Sequence, residues 1–166
     1  MHTHKAPWGK PLIMVSAIVA VLCIGAAVAT PLVLPGEAGW HVHLLRWLPP
    51  GLLLGMLPFV VRSYTITDDA ILIRRLFWNT RLDRRLLVSA EIAPKVMNKS
   101  LRACGNGGGF SFTGWYWNRQ LGLYRAFVTD LNHTVVLKFR LRNIVVSPEN
   151  PAAFVEDLGF SPSDDE

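Results

Sequence analysis

The sequence predicts a membrane-anchored protein of two parts. Two N-terminal transmembrane α-helices form a hairpin, and a domain of short β-strands with one C-terminal α-helix follows. Three observations predict it. Leu12 to Leu34 is a run of 23 residues without a charge. Leu44 to Val61 is a second apolar run, of 18 residues, with Arg46 as its one charge. From Arg62 onward the text changes to short alternating runs broken by turn residues, the period of half-buried strands.

The first run is long enough to span, because about 20 apolar residues cross the bilayer core as a helix. A core helix of that length would carry a polar stripe, and this run carries none. A signal peptide is the rival reading: Lys5 and Lys10 supply a basic start, and Ala27-Val28-Ala29 has the small-x-small form of a cleavage site. Against it, the run exceeds the about 7–15 residues of a signal core and continues to Leu34.

The second run reaches only about 27 Å as a straight helix. Arg46 can extend its guanidinium to the headgroups, and Trp40 and Trp47 suit that depth. Pro49 and Pro50 fit a first turn, and Pro58 a kink. A re-entrant or interfacial segment is the alternative. The connector 35–43 holds one charge, Glu37, and no Lys or Arg, whereas Lys5 and Lys10 precede the first helix and Arg62, Arg74 and Arg75 follow the second. Positive charge stays on the cytoplasmic side, so both termini are expected in the cytoplasm, with the chain a multi-pass protein of the inner membrane. The expected division is a helical hairpin over 1–61 (spans about 12–34 and 44–61), a β domain over 62–159, and an acidic tail over 160–166.

Within the β domain, Ser63 to Thr67 alternates, and Asp68-Asp69 turns it into Ala70 to Phe77. Trp78-Asn79-Thr80 reads as another turn and Leu86 to Ile92 as a strand. Leu123 to Thr129 is expected to pair with Thr134 to Arg140 across Asp130 to His133, and a last strand covers Asn143 to Ser147. Asn150 caps a final helix, Pro151 occupies its first position and Gly159 ends it. Phe154, Val155 and Leu158 share one face, suited to plugging an apolar opening.

Charge is segregated. Residues 62–148 hold fourteen Lys or Arg against five Asp or Glu, whereas residues 149–166 hold six acids and no base. A basic domain tethered to the cytoplasmic leaflet lies beside anionic headgroups, each nearby Lys or Arg contributing about 1 kcal/mol. Arg74, Arg75, Arg81, Arg84 and Arg85 are the densest cluster, with a solvated strand face as the plainer reading. Nucleic acid is not expected as a partner: no recognition helix or ribonucleoprotein-type strand motif is present.

The order of several short strands and one terminal helix, with Thr134-Val-Val-Leu137, then Asn143-Ile-Val-Val-Ser-Pro-Glu-Asn-Pro151, then Phe154, Val155 and Leu158, resembles the bacterial pleckstrin-homology (PH)-like domains. Leu121-Gly-Leu-Tyr124 and Phe127-Val-Thr-Asp130 add to the resemblance, which covers roughly 62–159. It implies a PH-like, strongly bent antiparallel β-barrel, partly open and capped at one end by the Phe154 helix. It also implies a membrane-associated binding or assembly module, generally without enzymatic activity, often behind a two-helix anchor. Lipid-reading members of the wider superfamily carry Lys and Arg around the first hairpin loop. Here that loop is Asp68-Asp69, which repels phosphate.

Chemical motifs are lacking. The stretch RACGNGGGFSFTGWYW, residues 102–117, misses the lysine of a Walker loop and the third glycine of a dinucleotide fingerprint, and opens no helix. Cys104 is the one cysteine of the domain and His133 its one histidine. The pairs His2/His4 and His41/His43 fall on opposite sides of the bilayer, short of the three or four ligands a metal site needs. No catalytic residue, cofactor or metal is therefore expected. Trp115 and Trp117 share one strand face and Tyr116 the other. The two tryptophans read either as core or as a platform toward membrane or partner. The expected function is a non-enzymatic membrane protein that engages a protein partner, of unnamed identity, at the inner membrane; the alternative is binding of anionic lipid through the arginine cluster, and an enzyme is a distant third.

Overall fold

A computed structural model describes residues 1–34, 39–107 and 110–161. The acid-rich end of the tail and Glu37 of the connector lie outside the described residues.

The chain opens with a short strand, β1 (His2–Lys5), and then enters α1 (Lys10–Val33) with Pro11 in its first turn. Among the described residues, α1 is the one helix long and apolar enough to cross a membrane. It packs along α2 (Trp40–Met56), whose 17 residues extend about 25 Å. This helix starts and ends earlier than the expected 44–61. Pro49 and Pro50 lie inside it, and Pro58 lies in a short 3-10 turn over Leu57–Phe59. No proline or glycine interrupts Trp40 to Leu48, so the helix can begin directly after the Gly39 N-cap.

Directly after that turn comes β2 (Val61–Ile66), which pairs antiparallel with β1, His2 opposite Ile66 and Lys5 opposite Ser63. The strand before α1 and the strand after α2 are thus neighbours in one sheet, and the two helices leave from one side of the domain. Three backbone bonds extend this stitching: Ala6 N–H to Arg62 C=O (3.1 Å), Glu149 N–H to Lys5 C=O (3.0 Å) and Gly9 N–H to Thr129 C=O (2.9 Å). Gly9 has no room for a side chain, since a Cβ there would sit 2.6 Å from Asp130 Oδ1. Loss of residues 1–29 as a signal peptide would remove an edge strand from the sheet.

The first sheet has the order β1-β2-β3-β4, with β3 spanning Ala70–Arg75 and β4 spanning Asn79–Asp83. The Asp68-Asp69 turn forms as the sequence predicts, closed by Thr67 N–H to Ala70 C=O and by the Thr67 hydroxyl. Asn79 and Thr80 begin a strand instead of completing a turn, because they pair with Arg74 and Ile73.

The second sheet contains β5 (Leu87–Ile92), β6 (Leu101–Gly107), β7 (Phe112–Asn118), β8 (Gly122–Val128), β9 (Val135–Phe139) and β10 (Asn143–Val146), in the order β5-β9-β10-β8-β7-β6. The expected hairpin between β8 and β9 does not form. Instead β10 inserts between them, antiparallel to β9 and parallel to β8, so the domain is not wholly antiparallel. The physical reason is visible at Ser147, just beyond β10: its hydroxyl accepts from Thr129 N–H (2.8 Å) and Asp130 N–H (3.2 Å). This bonding turns the chain away at the end of β8. The two sheets are also not joined into a closed barrel.

α3 (Pro151–Asp157) is capped as expected, with Asn150 Oδ1 accepting from Ala153 N–H and Gly159 left-handed at its end. Phe154, Val155 and Leu158 plug the main core, where Tyr64, Ile71, Ile73, Phe127, Leu137 and Ile144 meet between the sheets. A second, smaller core around Tyr116, Tyr124, Val128 and Val145 lies under Val96 and Met97 on the other face of the larger sheet. Both faces of that sheet are therefore buried over part of their area, which explains its continuous apolar runs.

Candidate functional site

The place where the helices join the sheets holds the most distinctive side chains. β3 and β4 connect through Leu76, Phe77 and Trp78, all exposed, Phe77 at 73%. An apolar turn left in water is costly unless something covers it. Trp78 meets Phe59 edge-on, ring centres 5.3 Å apart, so this turn lies against the foot of α2. On the other side of the helical pair, Phe110 N–H donates to Ser16 Oγ of α1 (3.0 Å), and Trp8 lies 6.1 Å from the Phe110 ring. Aromatic side chains thus form a belt at the base of the helices.

Between this belt and the sheets opens a cavity of about 410 Å³. Gly55, Met56 and Phe59 form its roof, and Arg75, Arg102 and Arg125 face it from three different strands. Trp115 stands opposite Arg125 and Cys104 opposite Trp115, so one cross-strand row brings these three side chains to the cavity. Arg102 lies just before an irregularity in β6, and Arg75 comes from the other sheet. The Arg75 and Arg125 guanidiniums lie 5.0 and 4.9 Å from the centre of the Phe127 ring, and Arg75 is also 5.7 Å from Trp78. The aromatic faces offset part of the cost of holding the cations there.

They do not offset all of it. Burial, and then the charge of Arg125, pull the Arg75 pKa below its ordinary value; burial, and then Arg142, do the same to Arg125. Arg75 Nε is buried without a hydrogen-bond partner. Among the described residues no carboxylate pairs with Arg75, Arg102 or Arg125.

Glycines shape the wall. Gly105 (φ +122°) and Gly114 (φ +143°) face each other across β6 and β7, in backbone conformations that side chains rarely adopt. Within the stretch 102–117, the described residues of β6 and β7 form a strand pair with this glycine contact; Gly108 and Gly109 lie outside the described residues.

The residues singled out in the sequence separate in space. Arg75 enters the cavity, and Arg74, its neighbour, is exposed on the other face. Arg84 donates to Asp157 C=O (3.3 Å) and Leu158 C=O (3.1 Å), ending α3, and Arg85 pairs with Asp69 at 3.1 Å. Arg81 is exposed and borders a second cleft with Trp115, Leu123 and Leu141. Trp115 is half-buried between cavity and cleft, and Trp117 is exposed at the open end of the same face. Cys104 opens onto the cavity, whereas His133 Nδ1 bonds Asp130 Oδ2 at 2.8 Å. His4 Nε2 lies 2.8 Å from Asp157 Oδ2, which pins β1 to α3. Arg102 and Arg125 escaped the sequence reading. The available signal was period two: Arg125 stands between Leu123 and Phe127 on one strand face.

Residues 62–160 match the family model described as Bacterial PH domain. No curated protein and no solved structure matches the chain. The match covers more than half the sequence and takes in the strands from β2 to β10 and the capping helix, with β1 outside it, and the chain accordingly belongs to the bacterial PH domain family.

Proposed function

We propose that this chain is a non-enzymatic, membrane-anchored binding module whose PH domain engages a protein partner at the cytoplasmic face of the inner membrane. The observation that carries this reading is the β1–β2 ladder, which ties both ends of the helical pair to one edge of the domain. Two spans in hairpin form then place the belt of Phe59, Phe77 and Trp78 at headgroup depth. The charge pattern favours the cytoplasmic side. The open cleft between the sheets offers Leu123 and Leu141 as exposed apolar side chains, with exposed Trp117 beside it as the cross-strand partner of Leu123, the composition of a recognition patch. A second reading, association with anionic lipid, is favoured by the unpaired arginines under the α2 foot.

Photo-crosslinking in native membranes tests the first reading. A photoreactive residue at Trp117 or Leu123 is expected to capture a protein neighbour, while one at exposed Lys99, beyond the smaller core, is expected to capture none. Equal capture from all three positions, or none, would overturn it. The whole chain is required, because a fragment starting at Arg62 lacks β1.

A further inference from the structure

We infer that the cavity under α2 is a discrete binding site for the phosphate of an anionic phospholipid, held by Arg75 and Arg125 with Arg102 at its rim. This rests on the membrane-anchored reading above and deepens its lipid alternative. It replaces diffuse attraction to the leaflet with one stoichiometric site.

Four features of the cavity converge on that ligand. Two guanidiniums share one aromatic ring, at 5.0 and 4.9 Å, and repel each other. An anion between them would remove the repulsion and supply the charge-assisted hydrogen bonds that guanidinium favours with phosphate. Arg75 Nε is a buried donor still lacking an acceptor, which a phosphate oxygen would satisfy. The roof is apolar, made of Gly55, Met56 and Phe59 where α2 ends. A ligand with a charged head and a hydrocarbon body fits this pairing of walls, and a free inorganic anion uses only half of it. Finally, the cavity adjoins the aromatic belt, where lipid headgroups lie.

The site differs in place from the first hairpin loop, where Asp68 and Asp69 are exposed and Asp69 already holds Arg85. A phosphate-repelling turn and a phosphate-accepting cavity thus occupy different places in one domain.

The test uses the full chain in detergent, titrated with phosphatidylglycerol, phosphatidylcholine or inorganic phosphate. Phosphatidylglycerol is expected to raise the apparent Tm by about 5 °C, as a ligand binding only the folded state does, with no rise from the other two. The rise should vanish in Arg125→Gln and persist in Arg81→Gln, which removes an equal charge from an exposed position. An equal rise with inorganic phosphate would assign the site to a soluble anion and overturn the lipid. A rise that survives Arg125→Gln but disappears at high salt would overturn the discrete site while leaving diffuse attraction standing. No response in any variant would overturn the site and the lipid reading together, without touching capture of a protein from Trp117.

A second readout needs no arginine variant and guards against misfolding. Cys104 lines the cavity and is exposed. In a Cys23→Ser background in nanodiscs, phosphatidylglycerol should slow its alkylation by neutral iodoacetamide about tenfold relative to phosphatidylcholine alone, as occupancy about ten times above Kd requires. An unchanged rate would contradict the inference.

Discussion

Alanine at Gly114 is expected to lower the stability of the folded chain by about 3 kcal/mol. Gly114 has a φ of +143° and lies opposite Gly105, with φ +122°. A Cβ on Gly114 would meet the Cys104 carbonyl oxygen and would lie 2.7 Å from Gly105 Cα. Both obstacles are backbone, so no side chain can rotate away, and β6 would have to shift outward from β7. That shift would also carry Cys104 and Arg102 away from the cavity. Gly122 is the internal control: its φ is +66°, but nothing lies within 4 Å of an added Cβ. Alanine there should cost only about 1 kcal/mol, the price of the left-handed conformation. In detergent, the apparent Tm is expected to fall about 10 °C for Gly114→Ala and about 3 °C for Gly122→Ala. Equal falls would refute the close approach of the two strands.

The second large effect is alkaline. Tyr64 is fully buried, donates its hydroxyl hydrogen to Phe127 C=O (2.6 Å) and accepts from Ser147 N–H (3.2 Å). Burial pushes its pKa from 10.0 up to about 12, and Tyr116 in the smaller core is pushed up to about 12 as well. The unfolded chain releases these protons near the ordinary tyrosine value, whereas the folded chain retains them. Between the two values the unfolded state binds fewer protons, so stability falls as pH rises. The contribution is complete below the unfolded pKa and is lost as pH climbs through the folded one. Tyr64 alone accounts for about 2–3 kcal/mol across this window. Apparent Tm followed with tyrosinate absorbance should drop steeply there, and Tyr64→Phe should show a shallower drop from a lower starting stability. A flat profile, or one identical in the variant, would contradict the buried phenol.

What the sequence made legible was whatever depends on local pattern. The uncharged run gave α1 to within about two residues, the Asp68-Asp69 turn formed, and Asn150, Pro151 and Gly159 bounded α3 as their chemistry requires. Elements that depend on pairing were hidden. His2 to Lys5 has no strand signal of its own and becomes β1 only through its partner β2. Asn79 and Thr80 have the composition of a turn and become strand only against β3. The short Asp130–His133 link suggested a hairpin, but Ser147, distant in sequence, redirects it. The candidate site suffered most from this. The consecutive arginines at 74–75 and 84–85 drew notice as a run, yet alternation along a strand sends neighbours to opposite faces. Arg75 therefore meets Arg102 and Arg125, which lie 27 and 50 positions away along the chain.

If α1 and α2 both span as proposed, β1 and β2 come together on the cytoplasmic side. Labelling single cysteines in cells with a membrane-impermeant maleimide tests it most directly. Cys104 serves in a Cys23→Ser background, and His41→Cys, at the start of α2, serves in a background with Cys23 and Cys104 both changed to Ser. The expected result is labelling of residue 41 in intact cells and of Cys104 only after permeabilisation. Labelling of Cys104 in intact cells, or of residue 41 only after permeabilisation, would contradict the account.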